Sequence, residues 1–184
     1  YGYEILDVGY LAKHDKKKLE EYVMQALDVM DEAFEDLYGT SPTNEKQKRR
    51  LMKTMLSILV PEFATVVTHN DKVVAYGYMI PSMKEVMQKG KGHIIPGGII
   101  PLIKTMNHPE VVDLLHIAIA KAHSNKGLPA LILSHCIEGL IKNNVKYLEA
   151  GPELEQNRHV QNLWKNFEIL YSKTFRCWGL KVED

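Results

Sequence analysis

Hydrophobic positions along the chain change period several times, and each change marks an element. From Lys16 to Tyr38 the residues Leu19, Tyr22, Val23, Ala26, Leu27, Met30, Ala33, Phe34 and Leu37 recur at three- and four-residue steps. That spacing gathers them on one face and predicts a helix capped by Asp15 and stopped by Gly39. A second helix is predicted from Thr43, with Leu51, Met55, Ile58 and Leu59 inward, ending before Pro61. Ahead of both, Glu4–Val8 reads as a short strand. The pattern then turns β-branched: Ala64–His69 and Lys72–Ile80 predict two strands joined by a tight hairpin at Asn70-Asp71.

Residues 81–109 are punctuated by Met, Gly and Pro and predict two short helices, Met83–Lys89 and Ile99–Met106. Val111–Ile119 follows as a buried strand. After a glycine-centred corner, Leu128, Leu131, Ile132, Cys136 and Leu140 return to helical spacing. A strand at Lys146–Ala150, a helix from Asn157 with Val160, Leu163, Trp164, Phe167 and Leu170 inward, and a terminal strand at Lys173–Val182 complete the reading. With no repeat and no linker, residues 1–184 read as one α/β domain.

The strand–turn–helix around Lys126-Gly127 carries the most chemistry. Such a corner leaves backbone N–H groups unpaired at the positive end of a helix dipole, which suits a phosphate or pyrophosphate. An ordinary turn with Gly for positive φ is the competing reading.

Composition narrows the classes. A length of 184 residues supports one substantial core, and 45% apolar with 25% charged residues is ordinary for a globular chain. A formal net charge of +0 argues against a nucleic-acid or membrane-surface role. Cys136 and Cys177 read as free thiols of a reducing, cytoplasmic compartment, with a bridge between them left open. Neither a signal peptide nor a long apolar span is recognisable. The chain begins at Tyr1 rather than Met, which is expected of a piece of a longer protein with a preceding domain. The histidines show no metal-ligand spacing, so no metal is expected. The basic run Lys46–Arg50 reads as a solvated helix face.

The order of elements, with three local matches, resembles the GNAT superfamily of acyl-CoA-dependent N-acyltransferases. The first match is Ile117-Ala-Ile-Ala-Lys-Ala-His-Ser-Asn-Lys-Gly-Leu-Pro-Ala130, similar to the family's strand-and-loop motif. The second is Asn157-Arg-His-Val-Gln-Asn-Leu-Trp-Lys-Asn-Phe167, which follows the family's Asn-x-x-Ala-x-x-Leu-Tyr-x-x-x-Phe helix in spacing. The third is the hairpin Val66–Tyr78, where such folds place two central antiparallel strands. The resemblance is closest to the C-terminal half of longer bacterial proteins of that superfamily. It implies a mixed central sheet flanked by helices, with a helical insert before the cofactor-binding strand.

The same resemblance implies acetyl-CoA, or another acyl-CoA, as cofactor. Its pantetheine would run beside Ile117, Ala118 and Ile119, and its pyrophosphate would lie on Ser124, Asn125, Lys126, Gly127, Leu128, Pro129 and Ala130. Asn157 and Trp164 are further cofactor-binding candidates, although Asn157 equally suits a helix cap. Glu149, at a strand end, and His116, on the preceding strand, are the candidate catalytic bases. The competing readings are a solvated strand end for Glu149 and a satisfied sheet-face histidine for His116.

Three positions depart from the family pattern. Ser124 replaces Gln or Arg, Pro129 replaces Gly or Ala and removes one donor, and Trp164 replaces the usual acid tyrosine. An indole N–H is not a general acid near neutral pH. The expected acceptor is a small-molecule or peptide amine. The alternatives are a catalytically degenerate GNAT-fold scaffold and a domain that binds CoA or a nucleotide as a regulatory ligand. The insert, with Met83, Met87, Ile94, Ile95, Ile99, Ile100 and Met106, is expected to shape an acceptor pocket or to pack on another domain or a second copy of the chain.

Overall fold

The computed structural model describes residues 2–92 and 99–180. They fall into two compact units, residues 1–151 and 152–184. In the first unit β1 (Tyr3–Ile5) leads into α1 (Val8–His14), α2 (Lys16–Phe34) and α3 (Glu45–Ser57). The chain then makes the long hairpin β2 (Ala64–His69) and β3 (Lys72–Pro81). Two helices, α4 (Lys84–Lys89) and α5 (Ile99–Asn107), precede β4 (Val111–Ile119), α6 (Leu128–Lys142) and β5 (Tyr147–Ala150). The second unit holds α7 (Arg158–Leu163).

Sequence order is also sheet order, β1-β2-β3-β4-β5. The first four strands pair antiparallel, and β4 pairs β5 in parallel, across the α6 crossover. The expected mixed sheet flanked by helices is therefore present, with the helical insert immediately before β4.

Helices cover both faces for reasons visible in the pattern. Leu19, Tyr22, Val23, Ala26 and Leu27 of α2 bury against Val66, Tyr76, Tyr78 and Ala118 on one face of the sheet. On the other, Ile132 and Cys136 of α6 lie over Gly77, whose missing side chain admits them: a Cβ there would meet Ile132 Cγ2 at 2.3 Å. Gly139 admits the backbone of Glu62 in the same way, at 2.0 Å.

Boundaries differ from expectation where capping and pairing decide. The first strand covers Tyr3–Ile5, because Asp7 accepts from Tyr10 N at 2.8 Å and starts the unexpected helix α1. The first long helix closes at Phe34 rather than Tyr38, and α3 begins at Glu45, where Asn44 and Gln47 exchange reciprocal capping bonds. The expected strand Lys173–Val182 is not formed through residue 180, and its last two positions lie outside the described residues. Phe175, Trp178 and Leu180 are exposed there, and among the described residues no strand pairs with that segment. His93, Ile94 and Ile95 of the insert also lie outside the described residues.

Candidate functional site

Two features of β4 shape the site. First, β5 is short. Its register runs Val111↔Tyr147 to Leu114↔Ala150 and stops, so among the described residues no strand pairs with that edge of Leu115–Ile119. The open edge is roughly 16 Å long at a strand's usual rise. Alternate N–H and C=O groups along it point away from β3.

Second, β4 carries a bulge. Tyr78 faces His116 but Met79 faces Leu114, so Leu115 is the extra residue. Before it, Val112 and Leu114 bury outside the α2-side cluster. After it, Ala118 belongs to that cluster and His116 lies against Phe34 of α2, ring centroids 6.2 Å apart. The bulge thus rotates His116 onto the α2 side of the sheet.

There the His116 imidazole is largely enclosed. Its Nδ1 is buried with no hydrogen-bond partner among the described residues, and so is Tyr76 Oη, from a ring 6.5 Å away. Burial pushes the His116 pKa down, which keeps the ring neutral at physiological pH and able to accept a proton. Burial, with the charge of Asp31 adding to it, pushes the Tyr76 phenol up, so it stays protonated.

Glu149 is placed differently. It sits opposite Asp113 in the β4–β5 register, one pair before the strands part. Lys84, at the start of α4, reaches Glu149 Oε1 at 2.5 Å and Asp113 Oδ1 at 3.8 Å. Both sequence-predicted catalytic residues therefore flank the start of the open edge, but among the described residues only Glu149 has a charged partner.

The loop after β4 keeps its donors exposed. A 3-10 turn, Lys121–His123, passes through Ser124 to Asn125 and Gly127, with φ of 62° and 76°. Ser124, Asn125, Lys126 and Gly127 are all exposed. Gly127 is the N-cap of α6 and contributes no side-chain bond; Leu131 N to Gly127 O, 3.2 Å, is the first bond of the helix. The amides of Gly127, Leu128 and Ala130 have no internal acceptor among the described residues, and Pro129 has none to offer. Leu128 is buried and anchors the helix start, beyond Ile117, Ala118 and Ile119 at the end of the open strand.

Sequence reasoning missed what holds this loop. Lys121 N donates to Glu32 Oε1 at 2.7 Å, and its ammonium pairs with Glu35 and Asp36, each at 3.0 Å. Tyr3 Oη bonds His123 Nδ1 at 2.9 Å. An acidic helix end and a lone lysine beyond a strand are the only sequence signal, and neither names its partner.

In the second unit Asn157 Oδ1 accepts from Val160 N at 3.5 Å, which makes it a helix cap. Trp164 Nε1 donates to Glu153 at 2.7 Å.

No protein-family model matches the chain. A protein of Pyrococcus horikoshii OT3, PH1933, superposes with a TM-score of 0.61 over 96% of this chain and 92% of its own, at 19% identity. The ribosomal-protein-alanine N-acetyltransferase of Brucella melitensis biovar Abortus 2308 gives 0.51 over 96% and 98%, at 9% identity. This is the GNAT fold. Among curated proteins, the bacterial ceramide synthase of Caulobacter vibrioides (strain NA1000 / CB15N) is 19% identical over 174 residues, 91% of this chain. The chain spans 45% of that relative's length. The parting of β4 from β5 and the loop onto α6 both lie on the first unit. Among the described residues no helix is long and apolar enough to cross a membrane.

Proposed function

We propose that this chain is an acyl-CoA-dependent N-acyltransferase domain that moves an acetyl group from acetyl-CoA to a primary amine. The observation that carries the reading is the set of unpaired Gly127, Leu128 and Ala130 amides at the end of an unpaired strand edge. Three donors at a helix N-terminus fit a pyrophosphate, and an open edge fits the amide-bearing arm of CoA. Lys126 adds a positive charge, while Pro129 costs one donor.

When bound, acetyl-CoA supplies an activated acyl thioester. The protein's part is to align it along Leu115–Ile119, keep the amine beside it and accept the proton that the amine loses. Neutral His116 suits that last role directly. Glu149 suits it once Lys84 has moved aside. The Caulobacter relative bears the name of a ceramide synthase, and a ceramide is an N-acylated amino alcohol; carried to this chain, that supports an amine acceptor.

Thermal unfolding with and without acetyl-CoA tests the reading. A ligand at about one hundred times its Kd adds roughly 2.7 kcal/mol. For a chain of this size that is an upward Tm shift of about 5–11 °C. No shift at millimolar acetyl-CoA overturns the proposal. One observation favours a second reading, a GNAT-fold scaffold without chemistry: at the position of the family's acid tyrosine the chain has Trp164, whose N–H is engaged by Glu153. Acetyl transfer to an amine panel that disappears in His116→Ala or Glu149→Gln would exclude the scaffold.

A further inference from the structure

The parallel register sets Asp113 of β4 beside Glu149 of β5, so two carboxylates share one sheet face where the strands begin to part. Asp113 Oδ1 is buried and has no hydrogen-bond partner among the described residues. A cation is required there, because two carboxylates side by side repel unless a positive charge lies between them. Lys84 supplies it. The ammonium is delivered by a side chain 56% exposed, from the first turn of the insert, onto carboxylates only 18% and 30% exposed. A primary amine of the chain itself thus lies against a carboxylate at the mouth of the opening.

The geometry points to Lys84 as a self-acylation site, an internal acceptor held in place of a substrate amine. This inference rests on the reading of the chain as an acyl-CoA-dependent N-acyltransferase. The step balances without a further reactant. Glu149 takes one proton from the Lys84 ammonium and passes it to water. The neutral Nζ then attacks the thioester carbonyl; the N–C bond forms, the C–S bond breaks, and the second nitrogen proton ends on the CoA sulfur. The products are Nε-acetyl-lysine and CoA. The modified side chain is uncharged, so the ion pair is lost and Glu149 is released as a base for an external amine. Self-acylation is then also a switch that readies the site.

The test is incubation of the whole chain with acetyl-CoA, followed by intact mass and peptide mapping over time, with the acetyl-CoA-induced Tm shift measured in parallel. The expected result is one acetyl group placed first on Lys84, at least about tenfold faster than on its neighbours Lys89 and Lys91, since proximity to Glu149 is the cause. The rate constant should be independent of protein concentration, as an intramolecular step requires. It should fall at least about tenfold in Glu149→Gln while Lys89 and Lys91 react as before. Lys84→Arg, which keeps the charge, should abolish the early mark. A Tm shift with acetyl groups spread evenly over surface lysines overturns the self-acylation alone. A rate that rises with protein concentration does the same. The absence of any acetyl-CoA-induced shift overturns this inference together with the function it rests on.

Discussion

Gly139→Ala opposes two effects of known size at one atom. In an exposed helix interior the change would stabilise by about 1 kcal/mol, because Ala is the better helix former. In α6 the new Cβ would stand 2.0 Å from Glu62 O and 3.0 Å from Glu62 C. An ordinary carbon–oxygen contact is about 3.3 Å, so helix and turn must separate by more than an ångström. The obstacle is backbone, which no rotamer change relieves. It belongs to the 3-10 turn Pro61–Phe63, pinned by wholly buried Phe63 and by Phe63 N to Val60 O at 2.9 Å. Overpacking of this kind costs about 1–3 kcal/mol and at times more. A clash this close with backbone lies at the upper end of that range, about 3 kcal/mol, so the steric term wins with a net loss of about 2 kcal/mol after the helix gain is subtracted. For a chain of this length Tm should fall by about 4–8 °C, and the urea midpoint should fall with it. Gly77→Ala is the companion variant. Its Cβ meets Ile132 Cγ2 at 2.3 Å, a side chain rather than backbone, so its loss should be the smaller. A Gly139→Ala protein as stable as wild type, or more so, would refute the close α6–turn packing and leave helix propensity as the only term.

Gly127→Ala meets no atom within 4 Å but keeps φ at 76°, so stability should drop by about 1 kcal/mol and the acetyl-CoA-induced Tm shift should shrink; an undiminished shift would move the phosphate site elsewhere. Because burial lowers the folded pKa of His116, its contribution to stability is complete above the unfolded value near 6.5 and is lost as pH falls through the folded value. His116→Gln should therefore flatten the fall in urea midpoint from pH 7.5 to pH 5, and an unchanged slope counts against the buried ring. Burial alone would raise the Asp31 pKa, but hydrogen bonds from Thr43 and the Lys48 ammonium reverse this and hold it down. Its stabilisation is present above the unfolded value and lost as pH falls through the folded one. Thr43→Ala removes the hydroxyl bonds to Asp31 at 2.8 and 3.0 Å and should cost about 1.5 kcal/mol at pH 7, measured by urea unfolding, with less of that cost below pH 4.

Legibility followed the range of the forces involved. Helix α2, the β2–β3 hairpin and β4 were readable because one-sided burial stamps a period on consecutive residues. The loop at Gly127 was readable because positive φ selects glycine locally. Helix α1 was missed because its seven residues offer two turns of pattern, and its cap at Asp7 is visible only once the first strand is known to stop at Ile5. The expected terminal strand failed for the reverse reason. A β-like composition names no partner, and among the described residues no strand pairs with residues 173–180. Lys84 was unreadable as a partner of Glu149 because the two are far apart in sequence and meet only through the parallel register of β4 and β5. Of Asn157's two open readings, the structure supports the cap directly.

What opens an otherwise ordinary mixed sheet at the proposed site is a mismatch of lengths combined with one inserted residue. Strand β4 has nine residues and β5 four, so the sheet is closed at one end of β4 and open at the other. In an unbulged strand of the same sequence, strict alternation would place Asp113, Leu115, Ile117 and Ile119 on the α2 face and send residue 116 into the packing of α6. The bulge exchanges those assignments beyond the point where β5 ends. Asp113 and Glu149 below the opening and His116 above it then share one face, while the opposite face continues unbroken onto α6 and holds Gly127 at the far end of the open edge. Deleting Leu115 should remove the bulge but leave Leu114 and His116 as consecutive residues on opposite faces, so His116 keeps its place against Phe34 and both stability and the acetyl-CoA response should largely survive; a collapse of either would refute this register. Replacing Leu115 by Ala should spare both, because the residue is 42% exposed and it is the added backbone unit, not the side chain, that turns the strand.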